Sequence, residues 1–239
     1  MEHTPSGLTM SQAHEIAFVD STVSELDSLL TGLRPEVEAV VLSASTAATT
    51  QIAALLQERS HLKTIHIITH GRAGELSFSA GALSLETVKE HAKELRSIGQ
   101  ALGVDGRLLL WSCHTGEGKR GEAFVDALAR MTGVEVDAAT GLIGAAAHGG
   151  NWVLAIGSGG RKAVAPLTAR GVAAYPGVMD TITATVNSSS GDSNSLASLM
   201  VSPSCGTNTR ARESLVRIVI QNEAHMVALY AGSTIHLPG

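Results

Sequence analysis

Aromatic residues are scarce: Phe, Trp and Tyr together make up 3% of the 239 residues, so any core must rest on Ala, Val, Leu and Ile. With 44% hydrophobic and 16% charged residues, the chain can build one sizeable core, or one core and a small appendage. Cysteine is scarcer still. Cys113 and Cys205 lie far apart and neither belongs to a CxxC pair, which removes the basis for a thiolate zinc site. A disulfide between them stays open, but two cysteines make no disulfide framework. There is no excess of positive charge. A net charge of −5 gives no basic face for nucleic acid, and no nucleic-acid partner is expected. No run approaches the ~20 apolar residues of a membrane span. The start, MEHTPSGLTMSQAHE, lacks the basic residues and apolar run of a Sec signal. A cytoplasmic protein, or one exported without such a signal, is expected, and residues 1–14 read as a flexible leader.

What is present is an alternation of strand and helix patterns from residue 15 to about 160. Apolar runs at 15–20 (EIAFVD), 39–42 (AVVL), 64–69 (TIHIIT), 107–111 (RLLLW) and 134–136 read as strands, with a last one at 151–156 (NWVLAI). Helical stripes fill 22–33, 46–59, 84–102 and 118–131, and a polar, Gly-containing excursion after Gly71 reads as a hairpin. Continuous apolar strands separated by helices predict a three-layer α/β sandwich, its mostly parallel sheet covered on both faces. Residues 161–239 read as linker and extension. Within them, 187–195 (NSSSGDSNS) is low-complexity, and the runs at 215–220 and 226–230 form either a strand pair or a poorly ordered tail.

In an open parallel sheet, functional groups gather beyond the carboxyl ends of the strands. Two ends carry chemistry here: Thr69-His70-Gly71 and Ser112-Cys113-His114. Neighbouring strands lie ~4.8 Å apart, so side chains leaving adjacent ends can meet. An imidazole beside a thiol takes its proton, and the sulfur attacks a carbonyl. His114 is a rival base, but successive positions on an extended chain face opposite ways, which favours His70. The ordinary reading of a strand-end cysteine is a small buried packing residue. Asp20, closing the first strand, suits a substrate Lys or Arg, or else the capping of the next helix. Asp137 is a weaker substrate-binding candidate. His66 reads as a core residue and His148-Gly149 as a turn. No HExxH pattern occurs and no metal is expected. The Gly-rich segments match neither a P-loop nor GxGxxG, so no cofactor is expected, and Ser112 lacks a GxSxG setting.

The run IHIITHG, a helix and then LLLWSC resembles the caspase-fold cysteine peptidases of clan CD. More closely, FVDS, IHIITHGRAGEL, LLLWSCHTGEG, GEAFVDALARMTG and GGNWVL resemble a bacterial domain family of unknown function, typical of large repeat-containing surface proteins and similar to the CHAT peptidases. The resemblance implies His70 as general base, Cys113 as nucleophile, and the backbone N–H groups of Gly71 and Cys113 as oxyanion donors. It implies a polypeptide substrate, or the chain itself. A rival expectation is a recognition or adhesion module that kept the scaffold without the activity. A third is that the chain is a piece of a longer surface protein.

Overall fold

The computed structural model describes residues 14–157 and 161–180 in full, together with the backbone of four short strands beyond them. The chain divides into two compact units, Met1–Asp180 and Thr181–Gly239. The leader, apart from His14, and most of the low-complexity stretch lie outside the described residues.

The first unit opens with β1 (Glu15–Asp20), α1 (Leu26–Gly32), β2 (Val37–Leu42), α2 (Ala48–Leu55) and β3 (Leu62–Ile68). A three-stranded antiparallel ribbon follows: β4 (His70–Arg72), β5 (Glu75–Phe78) and β6 (Gly81–Ser84). Then come α3 (Ala92–Ala101), β7 (Leu102–Trp111), α4 (Gly118–Thr132), β8 (Glu135–Ala138), β9 (Ile156–Gly157) and α5 (Ala169–Ala174). The main sheet has the order β2-β1-β3-β7-β8-β9 and is parallel except for β9.

Both faces of the sheet are buried, which is why its strands read as unbroken apolar runs. Ile16, Phe18, Ile65, Ile67, Leu108 and Leu110 pack with Ile52 of α2, Leu95 and Ile98 of α3 and Phe124 and Leu128 of α4. On the other face Ala17, Val19, Ile68, Leu109 and Trp111 meet Leu29 of α1, with Val172 of α5 packed alongside. The result is three layers. The chain steps one way from β1 to β2 and the other way from β2 through β3 to β8. Right-handed crossovers put helices on opposite faces when the direction reverses. That accounts for α1 lying on one face and α2, α3 and α4 on the other. The reversal leaves a switch point between β1 and β3, where the crevice of such a sheet opens.

Three expectations need correction. The helix expected over 84–102 is a 3₁₀ turn, Val88–His91, followed by α3. Of the strand expected at 151–156, only Ile156 joins β9; Asn151 makes an isolated parallel bridge with Ile143, and its Oδ1 accepts the Val153 N–H at 3.0 Å, which withholds that donor from a ladder. Residues 161–180, expected as the start of a linker, pack into the first unit, with Leu167, Tyr175 and Met179 all buried in its core. Here α5 crosses α1 at two glycines: a Cβ on Gly32 would lie 2.9 Å from Gly171 Cα.

The second unit has two antiparallel pairs, β10 (Ile182–Asn187) with β11 (Ser198–Pro203) and β12 (Val216–Ile218) with β13 (Val227–Leu229). The second of these pairs falls within the runs 215–220 and 226–230.

Candidate functional site

The pairing of β3 with β7 matches Ile68 to Trp111, and Thr69 N–H still donates to Trp111 O at 3.4 Å. Two residues further along each chain stand His70 and Cys113. Side chains alternate along a strand, so both follow the parity of Ile68 and Trp111 and belong to the α1/α5 face. The two stretches touch. A Cβ on Gly71 would lie 2.9 Å from Cys113 O and from Ser112 Cβ and would collide with Thr115 Oγ1. Only glycine lets the His-Gly turn lie this close to the cysteine loop.

That loop is firmly held. Thr115 Oγ1 donates to Glu75 O at 3.0 Å and shares a 2.6 Å hydrogen bond with Ser112 Oγ, and Gly116 N–H donates to Ala139 O at 2.8 Å. His114 takes a left-handed turn, φ 59°, and sets its Nδ1 2.8 Å from Glu117 Oε2.

His70 is half-buried and lies over the switch point, its Nε2 3.0 Å from the carbonyl oxygen of Thr22, just beyond β1. A carbonyl only accepts, so Nε2 carries the ring proton and Nδ1 keeps its lone pair. Nδ1 is buried, with no hydrogen-bond partner among the described residues.

Cys113 is fully buried and unpaired by disulfide. Its Sγ accepts the Ile143 N–H at 3.2 Å and lies 3.7 Å from Ile143 O, while its own N–H donates to Met179 O at 3.4 Å. Burial pushes the thiol up to about 12, reinforced by the carboxylate of Asp180 and opposed by the hydrogen bonds to Ile143 and Met179. As folded, the sulfur is a protonated thiol at neutral pH.

The cover is the segment 175–180, part of the stretch that the sequence pattern assigns to a linker. Tyr175 OH donates to Ser24 O at 2.8 Å, Ala145 N–H to Gly177 O at 2.8 Å, and Met179 N–H to Ile143 O at 2.9 Å. Val178 forms an antiparallel bridge with Gly144, and Asp180 a parallel bridge with Gly71. The one clue in the sequence is a tyrosine, one of two in the chain, standing in a supposed linker.

The two carboxylates do other work. Asp20 is fully buried: Oδ2 accepts the N–H and hydroxyl of Ser79 at 2.8 and 2.9 Å, and Oδ1 accepts the Thr22 N–H at 3.0 Å and the Thr22 hydroxyl. It pins the β5–β6 turn to the end of β1 rather than waiting for a substrate cation, and it caps no helix, since α1 begins at Leu26. Asp137 sits inside β8 with Oδ2 2.6 Å from an Arg107 guanidinium nitrogen. Burial pushes its carboxyl above the usual range despite that partner. It is committed to Arg107 and stands back from the rim.

Further down β3 and β7 lies a buried polar chain. Trp111 Nε1 donates to His66 Nδ1 at 3.0 Å, which leaves His66 Nε2 to donate to Glu15 at 3.1 Å, and Arg34 pairs with the same carboxylate. His66 and His70 are four residues apart on extended chain, about 13 Å, too far to share a metal. Among the described residues no group of three or more His, Cys, Asp or Glu is arranged to hold one. Nor is any described helix long and apolar enough to cross a membrane. A cleft lined by Arg96, Gln100, Asp105 and Arg161 opens where β7 begins, at the opposite end of that strand from Cys113.

The model of a family described as a domain of unknown function, DUF4347, matches residues 16–179, more than half of the chain. The chain belongs to DUF4347. The match ends one residue short of the boundary of the first unit. No curated protein matches the chain. Among solved structures, an aromatic amino acid aminotransferase with 3-indolepropionic acid is similar at 18% identity over 53% of this chain and 32% of that one. Its TM-score is 0.28, too low to bear on fold or function.

Proposed function

We propose that this DUF4347 domain is a caspase-like cysteine peptidase held in a resting state by its own residues 175–180. The observation that carries the reading is the hydrogen bond from His70 Nε2 to Thr22 O, which frees Nδ1 as a base on the face that holds Cys113. In the reaction His70 Nδ1 takes the thiol proton and Sγ attacks the scissile carbonyl. The Cys113 and Gly71 N–H groups hold the oxyanion, and His70 returns the proton to the leaving amine. Thr22 acts as a positioning residue through its backbone.

Substitution tests it. Cys113→Ala and His70→Gln each lower peptide cleavage by at least 100-fold, measured on a fluorogenic peptide panel, with far-UV circular dichroism unchanged. Cleavage that survives either substitution ends the proposal.

A second reading has its own support in the complete burial of Cys113 and its raised thiol. It makes the domain a recognition or adhesion module of a bacterial surface protein, with His70 and Cys113 as packing residues. It expects no peptide in such a panel to be cut.

A further inference from the structure

The cover over Cys113 crosses the site as a substrate would. The Met179 carbonyl accepts from the Cys113 N–H, the next residue, Asp180, pairs with Gly71, and Met179 N–H is tied to Ile143 O. The Met179–Asp180 peptide is therefore gripped on both sides by the two residues whose N–H groups were expected to serve the oxyanion. The Met179 side chain is fully buried in the cluster that holds Cys113, Ile143 and Tyr175, an apolar seat for the residue on the acyl side. The position along the chain agrees. The family match ends at Met179 and the first compact unit ends at Asp180, so a break here separates the domain from the remaining polypeptide without cutting through its sheet.

We propose that the first substrate of the Cys113–His70 site is the chain's own Met179–Asp180 bond, cleaved in cis, so that the domain releases the polypeptide from Asp180 onward. The inference rests on the peptidase reading and names its substrate. The thiol proton passes to His70 Nδ1, and the Sγ–carbon bond forms at the Met179 carbonyl. The carbon–nitrogen bond to Asp180 then breaks, and the proton goes from His70 to the new amino group. One water hydrolyses the thioester, leaving a carboxylate on Met179 and the thiol on Cys113. No other reactant is needed. The preference implied is for an unbranched apolar residue on the acyl side, consistent with Asp20 and Asp137 being engaged elsewhere. The cut also removes Asp180, one of the groups that hold the thiol protonated, from its covalent tether to the strap.

The test follows the purified full chain over 24 h by intact mass and N-terminal sequencing, alongside Cys113→Ala, His70→Gln and Asp180→Pro. The result expected is a fragment beginning at Asp180, formed at a first-order rate independent of protein concentration, slowed at least 100-fold in all three variants. The same fragment arising equally fast in Cys113→Ala overturns the proposal, as does a cut at another bond. A coumarin amide of Tyr-Pro-Gly-Val-Met distinguishes self-cleavage from peptidase activity in general. A chain that stays whole while cleaving this probe through Cys113 overturns self-cleavage and leaves the peptidase reading standing. A chain that stays whole and cuts neither this probe nor the wider panel overturns both.

Discussion

At the scale of the residue, the chemistry of Cys113 is governed by the groups around its sulfur. A thiol held at about 12 has a thiolate fraction on the order of 10⁻⁵ at pH 7, against about 3% for a free cysteine of pKa 8.5. Iodoacetamide should accordingly label Cys113 at pH 7.5, in a Cys205→Ser background, roughly a thousand-fold more slowly than free cysteine. The same perturbation is written into stability. Well below pH 8.5 the thiol is protonated in both folded and unfolded chains, and it costs nothing. Between about 8.5 and about 12 the unfolded chain loses the proton while the folded chain keeps it, so stability falls with rising pH, by at most about 1.4 kcal/mol per pH unit. Tyr175, also raised by burial, contributes in the same direction. The difference between wild type and Cys113→Ala in urea unfolding from pH 8 to 11 isolates the cysteine: the variant should show the shallower alkaline decline. Equal slopes would mean that the sulfur is not sealed.

At the scale of the element, the sheet is legible in the sequence and its cover is not. Strands β1, β3 and β7 send alternate residues into two cores, so each appears as a continuous apolar run, and the polar residue that ends each run marks the rim. His70 and Cys113 can be found that way, since rim positions follow from strand ends alone. Whether the sulfur faces solvent cannot, because the stretch that closes over it is held by backbone bonds, such as Met179 N–H to Ile143 O, that leave no pattern in side chains. Helix α5, which leads into it, has six residues, too few for a periodic stripe. The role of Asp20 is hidden for a related reason: its position on the rim is visible, but its partner Ser79 arrives from a turn 59 residues away. The crossing of α1 and α5 offers a handle on the cover. A Cβ on Gly171 would lie 2.8 Å from Gly32 C and Cα, backbone atoms that cannot swing aside. Gly171→Ala should therefore destabilise the fold by about 1–3 kcal/mol and raise the rate of Cys113 alkylation at least ten-fold. A variant that loses stability yet labels no faster would show that α5 does not hold the cover down.

At the scale of the whole molecule, the question is whether the cover opens as a unit or only when everything unfolds. Cys113 is closed in by three stretches far apart in sequence: the turn after β7, residues 143–145 and residues 175–180. Three amide protons tie residues 175–180 to the other two stretches, those of Cys113, Ala145 and Met179, bonded to Met179 O, Gly177 O and Ile143 O. Native proteins open in cooperative pieces, and segments tied mainly by a few backbone bonds at an edge open at lower cost than the strands beneath them. If residues 175–180 lift as one piece, all three amides exchange with a single opening free energy, below that of Leu109 and Leu110 inside β7. Alkylation of Cys113 then yields the same value, because the sulfur and the three amides are uncovered by one event. Gly171→Ala shifts the four readings together and leaves β7 where it was, apart from its share of the global loss. Hydrogen exchange followed by mass spectrometry, run in parallel with thiol labelling, measures every term. Should the Met179 and Ala145 amides prove as slow as the interior of β7, the segment is part of the permanent fold. Cys113 would then meet an external substrate only on global unfolding, and cleavage of the strap in place would be the one peptidase role still open to it.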